Sequence, residues 1–238
     1  MISKIIKKLL YSYRYSSESF ISYMRNKGVQ IGSDCYIYSP QTVAIDLARP
    51  YLLDIGDNVV ITRNTTIMLH DYSHTVIRKK YGRNIGDAKP VHIGNNVFIG
   101  NSATILMGTC IGNNVIIGAN TVVRGKIPDD VVVAGNPCKV VCTLEEYYRR
   151  RCEKELECAY NNVRLCKERL KRTPTIREGG AAFAWLYLPR TMETIKTYPE
   201  FFSLPGENRD TLIRDFLQSE PMFSSYDEFL LSAENKVL

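Results

Sequence analysis

The sequence predicts a mainly β protein whose strands stack as a regular coil, with a helical segment at each end. Two observations carry this prediction. An aliphatic residue recurs at every sixth position through the central part of the chain, and both flanking segments instead place apolar residues at helical spacings. With 238 residues and 45% hydrophobic side chains, the chain can bury a sizeable core.

The period of six is clearest from Ile93 onward, where the chain reads IGNNVF, IGNSAT, ILMGTC, IGNNVI, IGANTV and VRGKIP. The same frame occurs upstream from Ile31 and from Ile55. This spacing does not match the 3.6-residue period of a helix face. It predicts a flat-sided coil in which three hexads complete one turn, the aliphatic residues fill the interior, and Gly and Asn form the corners.

Residues 91–141 resemble the C-terminal coils of galactoside and maltose O-acetyltransferases. RPYLLDIGDN, HDYS and AGNP also stand here in the order in which they recur in capsular-polysaccharide and O-antigen O-acetyltransferases. The chain is thus similar to the hexapeptide-repeat acyltransferases, closely over residues 27–145. This resemblance implies a left-handed parallel β-helix, acetyl-CoA as acetyl donor, a homotrimer and a carbohydrate acceptor.

We expect three segments. They are an N-terminal helical cap at 1–28, a β-helix acyltransferase domain at 29–142, and a C-terminal helical extension at 143–238. The hexads fail after His70 and return at Ile93, shifted by two from a multiple of six. This shift predicts a protruding irregular loop at 71–90.

The C-terminal extension opens with Thr143 and Glu146, which have the spacing of a helix capping box. Apolar residues follow at spacings of three and four and predict one long helix that ends before Pro174. Shorter helical pieces rich in aromatic residues come after it and are expected to fold back on that helix or on a neighbouring subunit.

The N-terminal segment is basic and amphipathic, with six Lys or Arg residues against one acidic residue in 1–28. We favour a cap over the first coil, and the alternative is peripheral membrane contact through residues 1–15. The sequence contains neither an apolar run of 18 residues nor a recognisable secretory signal. A cytoplasmic location follows as an expectation, with the inner membrane face as a possible site.

His70, in IMLHDYSH, is the candidate catalytic base. In the family that the chain resembles, a histidine followed by Asp or Pro at this point is the base. An imidazole can take the proton of a sugar hydroxyl near neutral pH as that hydroxyl attacks a thioester. The alternative is that His70 only caps a corner. No Ser or Cys stands in a nucleophile motif, so direct transfer is expected.

Four residues are candidates for acceptor binding. Asp46 could bind or orient the sugar, or serve only as a turn residue. Asp71 belongs to the HD motif, and His74 is a candidate loop or substrate contact. Phe98 stands where relatives have Trp and could form a wall of the acceptor cleft.

The acetyl-CoA slot is expected to run along the coils, between two subunits. By resemblance, the residues that would line it are Asn101, Ala119, Gly125, Lys126 and Lys139. Small residues would let the pantetheine lie against the backbone, and the two lysines would meet phosphates or adenine. The alternative for both lysines is an ordinary solvated surface charge.

Several other functions are disfavoured. The seven cysteines form no C-x-x-C pair and lie in apolar patterns, so we expect free buried thiols rather than a zinc cluster. The three histidines do not match the spacing of gamma-class carbonic anhydrases, and no metal is expected. The basic excess is confined to the N-terminus, which argues against nucleic-acid binding. N-acetylation of an amino sugar or a small molecule, and a non-catalytic scaffold, remain alternatives, and the acceptor sugar is not identified.

Overall fold

The computed structural model describes the backbone of residues 2–235 and the side chains of residues 6–235. The chain divides into two compact units, Met1–Tyr147 and Tyr148–Leu238. None of the helices within the described residues combines the length and the apolar character needed to cross a membrane.

The described residues of the first unit form fifteen short strands. They are β1 (Gln30–Ile31), β2 (Tyr36–Ile37), β3 (Ala44–Ile45), β4 (Leu53–Ile55), β5 (Val59–Ile61), β6 (Thr66–Ile67), β7 (Val91–Ile93), β8 (Val97–Ile99), β9 (Thr104–Ile105), β10 (Cys110–Ile111), β11 (Val115–Ile117), β12 (Val122–Val123), β13 (Lys126–Ile127), β14 (Val131–Ala134) and β15 (Lys139–Thr143).

Successive strands visit three sheets in turn, so the chain winds as a parallel β-helix. Sheet A has the order β1-β4-β7-β10-β13, sheet B the order β15-β14-β11-β8-β5-β2, and sheet C the order β12-β9-β6-β3. Among these fifteen strands every pairing is parallel except that of β15, which runs antiparallel to β14. The predicted coil is therefore confirmed, and its left-handed winding stays a prediction from the resemblance.

The aliphatic residues of the hexads form one continuous column inside the coil. Ile93, Ile99, Ile105, Ile111 and Ile117 are each 0% exposed. Full burial of one such side chain stabilises the fold by roughly 1.5–3 kcal/mol. The period of six follows because one flat face comes after another every six residues, and each places an aliphatic side chain at the same point of this column.

One corner of the coil is built from a ladder of polar side chains. Asn58, Asn96, Asn114 and Asp130 all adopt the left-handed conformation, with φ between 54° and 58°. The amide of Asn96 donates to Oδ1 of Asn114 at 2.8 Å, and the amide of Asn114 donates to Oδ1 of Asp130 at 2.8 Å. The repeated GNN and GDN motifs are explained by this corner, since Asn tolerates positive φ and bonds to its neighbour in the next coil.

Two helices precede the coil, α1 (Ile2–Tyr11) and α2 (Ser17–Lys27). A 3₁₀ turn at Ser12–Arg14 separates them, and the side chain of Ser16 caps α2. Phe20 and Met24 of α2 are 0% exposed and belong to the same core as the first coil. The helix therefore covers the open end of the aliphatic column.

The segment at 71–90 differs from the expected irregular loop. It contains α3 (His74–Tyr81), which ends at Gly82 with φ 70°. None of the side chains of α3 is buried. The helix has no packed apolar face, which is why the search for apolar periodicity missed it.

The second unit is helical, and α4 (Leu144–Leu170) supplies its longest element. Both hydrogen bonds of the capping box are present, from the Thr143 N–H to Glu146 and from the Glu146 N–H to Thr143. The remaining helices of this unit are α5 (Ile176–Ala184), α6 (Met192–Thr197), α7 (Arg209–Gln218) and α8 (Tyr226–Asn235), and a 3₁₀ turn lies at Pro199–Phe202. Two further 3₁₀ turns, Pro40–Thr42 and Pro50–Leu52, belong to the first unit.

The shorter helices fold back on α4, as expected. Ala159 and Val163 of α4 share a core with Tyr187, Phe202 and Phe216, which are at most 1% exposed. The aromatic residues of the extension mainly build this core.

The expectation of buried cysteines is wrong for most of them. All seven are free, but only Cys142 is buried, while Cys110, Cys152 and Cys158 are exposed. On sheet A, Cys110 begins β10 and points outward, because the alternation of a strand places the neighbouring Ile111 in the core.

Candidate active site

Asp46 and His70 come together because they follow neighbouring strands of sheet C. Asp46 directly follows β3 and His70 lies three residues beyond β6, and these two strands pair in register. The Asp46 N–H donates to the Ile67 carbonyl at 3.0 Å. The two side chains therefore project from the same corner of successive coils.

The Asp46 carboxylate holds the imidazole of His70 through its Nδ1 atom. Its Oδ2 is hydrogen-bonded to Nδ1 of His70, and it also accepts the N–H of Leu69 at 3.3 Å, while Oδ1 accepts the N–H of Ala48 at 3.0 Å. An ionised carboxylate only accepts hydrogen bonds, so Nδ1 must donate. In the neutral ring the lone pair is then on Nε2, which has no partner among the described residues.

The Asp46 and His70 side chains are mostly, but not completely, buried. The side chain of His70 is 11% exposed and that of Asp46 is 16% exposed. Partial burial weakens competition from water for the hydrogen bond between them. The remaining exposure leaves part of each side chain open to solvent.

The two ends of the 71–90 segment are tied together beside His70. His70 forms an antiparallel bridge with Ala88, and the Lys89 N–H donates to the Leu69 carbonyl at 3.2 Å. The Asp71 N–H donates to the Asp87 carbonyl at 3.0 Å. His70 is thus held at a closed loop root rather than at the start of a free loop.

Tyr72 is a residue at this site that the sequence analysis did not single out. Its ring lies edge-on to the imidazole of His70, with centroids 4.3 Å apart and planes at 61°. The Tyr72 residue is 65% exposed. Its position two residues after His70 was the only available signal, since an exposed tyrosine in a predicted loop has no periodic pattern.

Asp71 and His74 shape the turn between His70 and α3. The Asp71 carboxylate accepts from the Ser73 hydroxyl and, at 2.8 Å, from the Ser73 N–H. Both bonds lower the pKa of the Asp71 carboxyl below its usual range, and the bond from the Ser73 hydroxyl has the larger effect. Nδ1 of His74 faces the Asp71 carbonyl at 3.4 Å. Contact of either side chain with an acceptor stays a prediction.

Three of the residues predicted to line the acetyl-CoA slot lie on one edge, formed by the turns that follow strands of sheet B. Asn101 and Ala119 are exposed on successive coils, and the Asn120 N–H donates to the Asn101 carbonyl at 2.8 Å. Lys139 pairs with Ala134 in the β14–β15 hairpin beyond them. We call this the Asn101 edge.

The other two residues, Gly125 and Lys126, lie on the edge of the coil that is formed by the turns after the strands of sheet C. His70 lies on this same edge. Gly125 has φ +74°, and a Cβ there would meet nothing within 4 Å. Lys126 is exposed and pairs with Cys110 at the start of sheet A. We call this the His70 edge.

Contact of these five residues with acetyl-CoA stays a prediction from the resemblance. All five are exposed, Gly125 leaves open space against the backbone, and each edge carries one of the two lysines. Sheet C separates the two edges within one chain.

Phe98 lies on neither edge. It is at the centre of β8 on sheet B, between Val60 and Ile116 of the neighbouring strands, and is 43% exposed. Within one chain, the structure does not bring Phe98 to His70.

Within residues 2–235, no group of three or more His, Cys, Asp or Glu side chains is arranged to hold a metal ion.

Among known protein families, the one described as bacterial transferase hexapeptide (six repeats) matches residues 90–125 of this chain. The chain is 42% identical over 124 residues to the protein CapG of Staphylococcus aureus, covering 52% of this chain and 71% of that protein. The chain belongs to the hexapeptide-repeat acyltransferase family. The matched residues 90–125 lie within the coil.

Other members of this acyltransferase family are also similar. The chain is 38% identical over 129 residues to the galactoside O-acetyltransferase of Escherichia coli K12, covering 53% of this chain and 59% of that enzyme. It is 49% identical over 55 residues to the putative lipopolysaccharide biosynthesis O-acetyl transferase WbbJ of the same strain, covering 23% and 28%. A solved galactoside acetyltransferase in complex with coenzyme A overlays with a TM-score of 0.44 at 27% identity, covering 59% of this chain and 80% of that one.

Proposed function

We propose that the protein transfers the acetyl group of acetyl-CoA to a hydroxyl of a sugar in a surface polysaccharide or its precursor, with His70 as the general base. The observation that carries this proposal is the Asp46–His70 pair, which leaves Nε2 free at a partly open corner. The matched relatives include proteins named as O-acetyltransferases of a galactoside and of lipopolysaccharide biosynthesis.

His70 acts on the proton of the acceptor. Acetyl-CoA supplies a thioester carbonyl as the electrophile. Nε2 takes the proton of the sugar hydroxyl as its oxygen bonds to that carbonyl carbon. When the C–S bond breaks, the imidazolium returns the proton to the departing sulfur, and His70 is neutral again.

Asp46 is a positioning residue. Its hydrogen bond fixes the tautomer that presents the lone pair on Nε2, and its negative charge stabilises the imidazolium that forms during transfer. The backbone N–H groups of Leu69 and Ala48 hold the carboxylate in place. A corner built from two coils therefore supplies both the base and the group that orients it.

The acetyl donor lies in a slot between two subunits of a homotrimer. The arrangement that supports this proposal is the separation of the predicted contacts onto the two edges of sheet C. The His70 edge of one subunit, with Gly125 and Lys126, would face the Asn101 edge of the next, with Ala119 and Lys139. Phe98 of that neighbouring subunit would then approach the acceptor.

The proposal is tested by the release of free thiol from acetyl-CoA in the presence of neutral mono- and oligosaccharides, amino sugars and buffer alone. We expect sugar-dependent release and an ester, labile to mild base, on the acceptor. An alkali-stable amide on an amino sugar would instead establish N-acetylation. If no acceptor supports release by the wild-type protein, the enzymatic proposal fails.

A further inference from the structure

Helix α1 is oriented with its apolar side away from the protein body. Ile6, Leu9 and Leu10 have the spacing i, i+3 and i+4 that places side chains on one helix face. They are 49%, 80% and 71% exposed, respectively. An apolar helix face in a globular protein normally packs on the core, so this exposure requires an explanation.

The polar side of the same helix faces the coil instead. Lys7 and Tyr11, four residues apart, line a crevice of about 320 Å³ together with Tyr36 and Gln41 of the first coil and Glu18 of α2. Leu9 lies roughly 200° around the helix from Lys7, at about 100° per residue. The orientation of α1 is therefore the reverse of that of a helix that helps to form a core.

The N-terminal segment that carries this exposed apolar face has a net positive charge. Lys7 and Lys8 of this helix are both exposed, and residues 1–28 carry six basic residues and one acidic residue. A second copy of the chain would bring the same positive charge against the face. An anionic bilayer offers the opposite charge together with an apolar interior, so it matches both properties.

We propose that α1 is a reversible membrane anchor that lies in the surface of an anionic bilayer, with Ile6, Leu9 and Leu10 in the lipid and the lysines at the headgroups. At about 1.5 Å per residue, a ten-residue helix is too short to span a bilayer and suits an in-plane position. This proposal does not depend on the chemistry assigned to His70.

The test is co-sedimentation of the full-length protein with vesicles. One set is phosphatidylcholine alone, and the other contains about a quarter phosphatidylglycerol. The variants are the double substitution L9S/L10S and the charge variant K7Q/K8Q. L231S is the matched control, because Leu231 is also an exposed leucine, 62% exposed, on a helix of the second unit. Circular dichroism confirms that each variant is folded, and light scattering gives its mass.

We expect binding to the anionic vesicles that is at least about tenfold weaker in L9S/L10S and unchanged in L231S. Binding should also weaken in K7Q/K8Q and at high salt. Wild-type protein that stays in the supernatant, or L9S/L10S that sediments like wild type, overturns the proposal. A lower mass of L9S/L10S in light scattering also overturns it, because the face would then be covered by a second copy.

Discussion

The carboxylate of Asp46 is hydrogen-bonded to Nδ1 of His70, although 24 positions separate the two residues in the sequence. They meet because β3 and β6 are neighbours in sheet C, so that residues just beyond these strands lie one coil apart. This relationship gives Asp46 a defined task in the proposed reaction, and it leads directly to the first two predictions.

Replacement of the base should remove turnover and leave the fold intact. We expect His70→Ala to lower kcat by about a hundredfold or more, in line with general-base contributions. The thermal unfolding midpoint should change little, because the residue occupies a corner and not the aliphatic column. His92→Ala is the matched control, since His92 is exposed on β7. Equal turnover by wild type and His70→Ala would falsify the histidine-base mechanism.

Substitution of the positioning residue separates orientation from simple packing. In Asp46→Asn the amide group can donate to Nδ1, which favours the tautomer with the proton on Nε2. We expect kcat to fall by about a hundredfold while the KM for acetyl-CoA stays near the wild-type value. Asp54→Asn serves as the control, because Asp54 lies on β4 of sheet A. NMR of the imidazole nitrogens reports the tautomer directly, and a change of rate without a change of tautomer would count against this role.

Removal of the slot lysines should act on donor binding. Lys126→Ala and Lys139→Ala are expected to raise the KM for acetyl-CoA more than they lower kcat, and the difference from wild type should shrink at high salt. Lys154→Ala is the control, since Lys154 is exposed on α4. A lysine whose removal leaves the KM unchanged does not belong to the slot.

The shared slot predicts that two inactive variants complement each other. His70→Ala damages the His70 edge, and Ala119→Trp blocks the exposed Asn101 edge. Mixed trimers contain interfaces in which both facing edges are wild type, so activity should return on co-expression. Light scattering should give about three times the 27.1 kDa chain mass. A stable, active monomer, or co-expressed variants that remain inactive in proven mixed oligomers, contradicts the arrangement.

The second unit should show a defined pH dependence of stability. Hydrogen bonds from Arg172 first, and then from Thr175, lower the pKa of Glu178 to about 2 from 4.5. Because the folded pKa is depressed, this contribution to stability is present above about pH 4.5 and is lost as the pH falls towards 2. The difference in thermal unfolding midpoint between wild type and Glu178→Gln should therefore be constant near neutral pH and become smaller below pH 4.5. Glu207→Gln, at an exposed glutamate of the same unit, should show no such trend.

Much of the architecture follows from sequence alone. The column of Ile93, Ile99 and Ile105 is a direct consequence of the hexad period, because every sixth residue occupies the same inward position on a successive flat face. The long helix α4 was predicted from its capping box and its apolar spacing, and both bonds of that box are present. Local pattern suffices here because the interactions concerned are themselves local or strictly periodic.

The helix α3 and the exposure of most cysteines were not predicted. A solvent-exposed helix such as His74–Tyr81 has no apolar stripe to mark it. Cys110 lies in an apolar pattern, but it occupies the outward position of its strand. In both cases the sequence shows which residues are apolar, but it does not show which side of the helix or strand other parts of the chain cover.

The sequence by itself determined the coil, the corner residues and His70 as the candidate base. Only the tertiary structure decided that the Asp46 carboxylate is hydrogen-bonded to His70, that Tyr72 packs against the His70 ring, and that the predicted acetyl-CoA contacts lie on two separate edges. It also decided that the apolar face of α1 points away from the coil. The physical reason is that stacking brings together residues many positions apart, and these contacts between coils depend on register and corner geometry, which no single hexad contains.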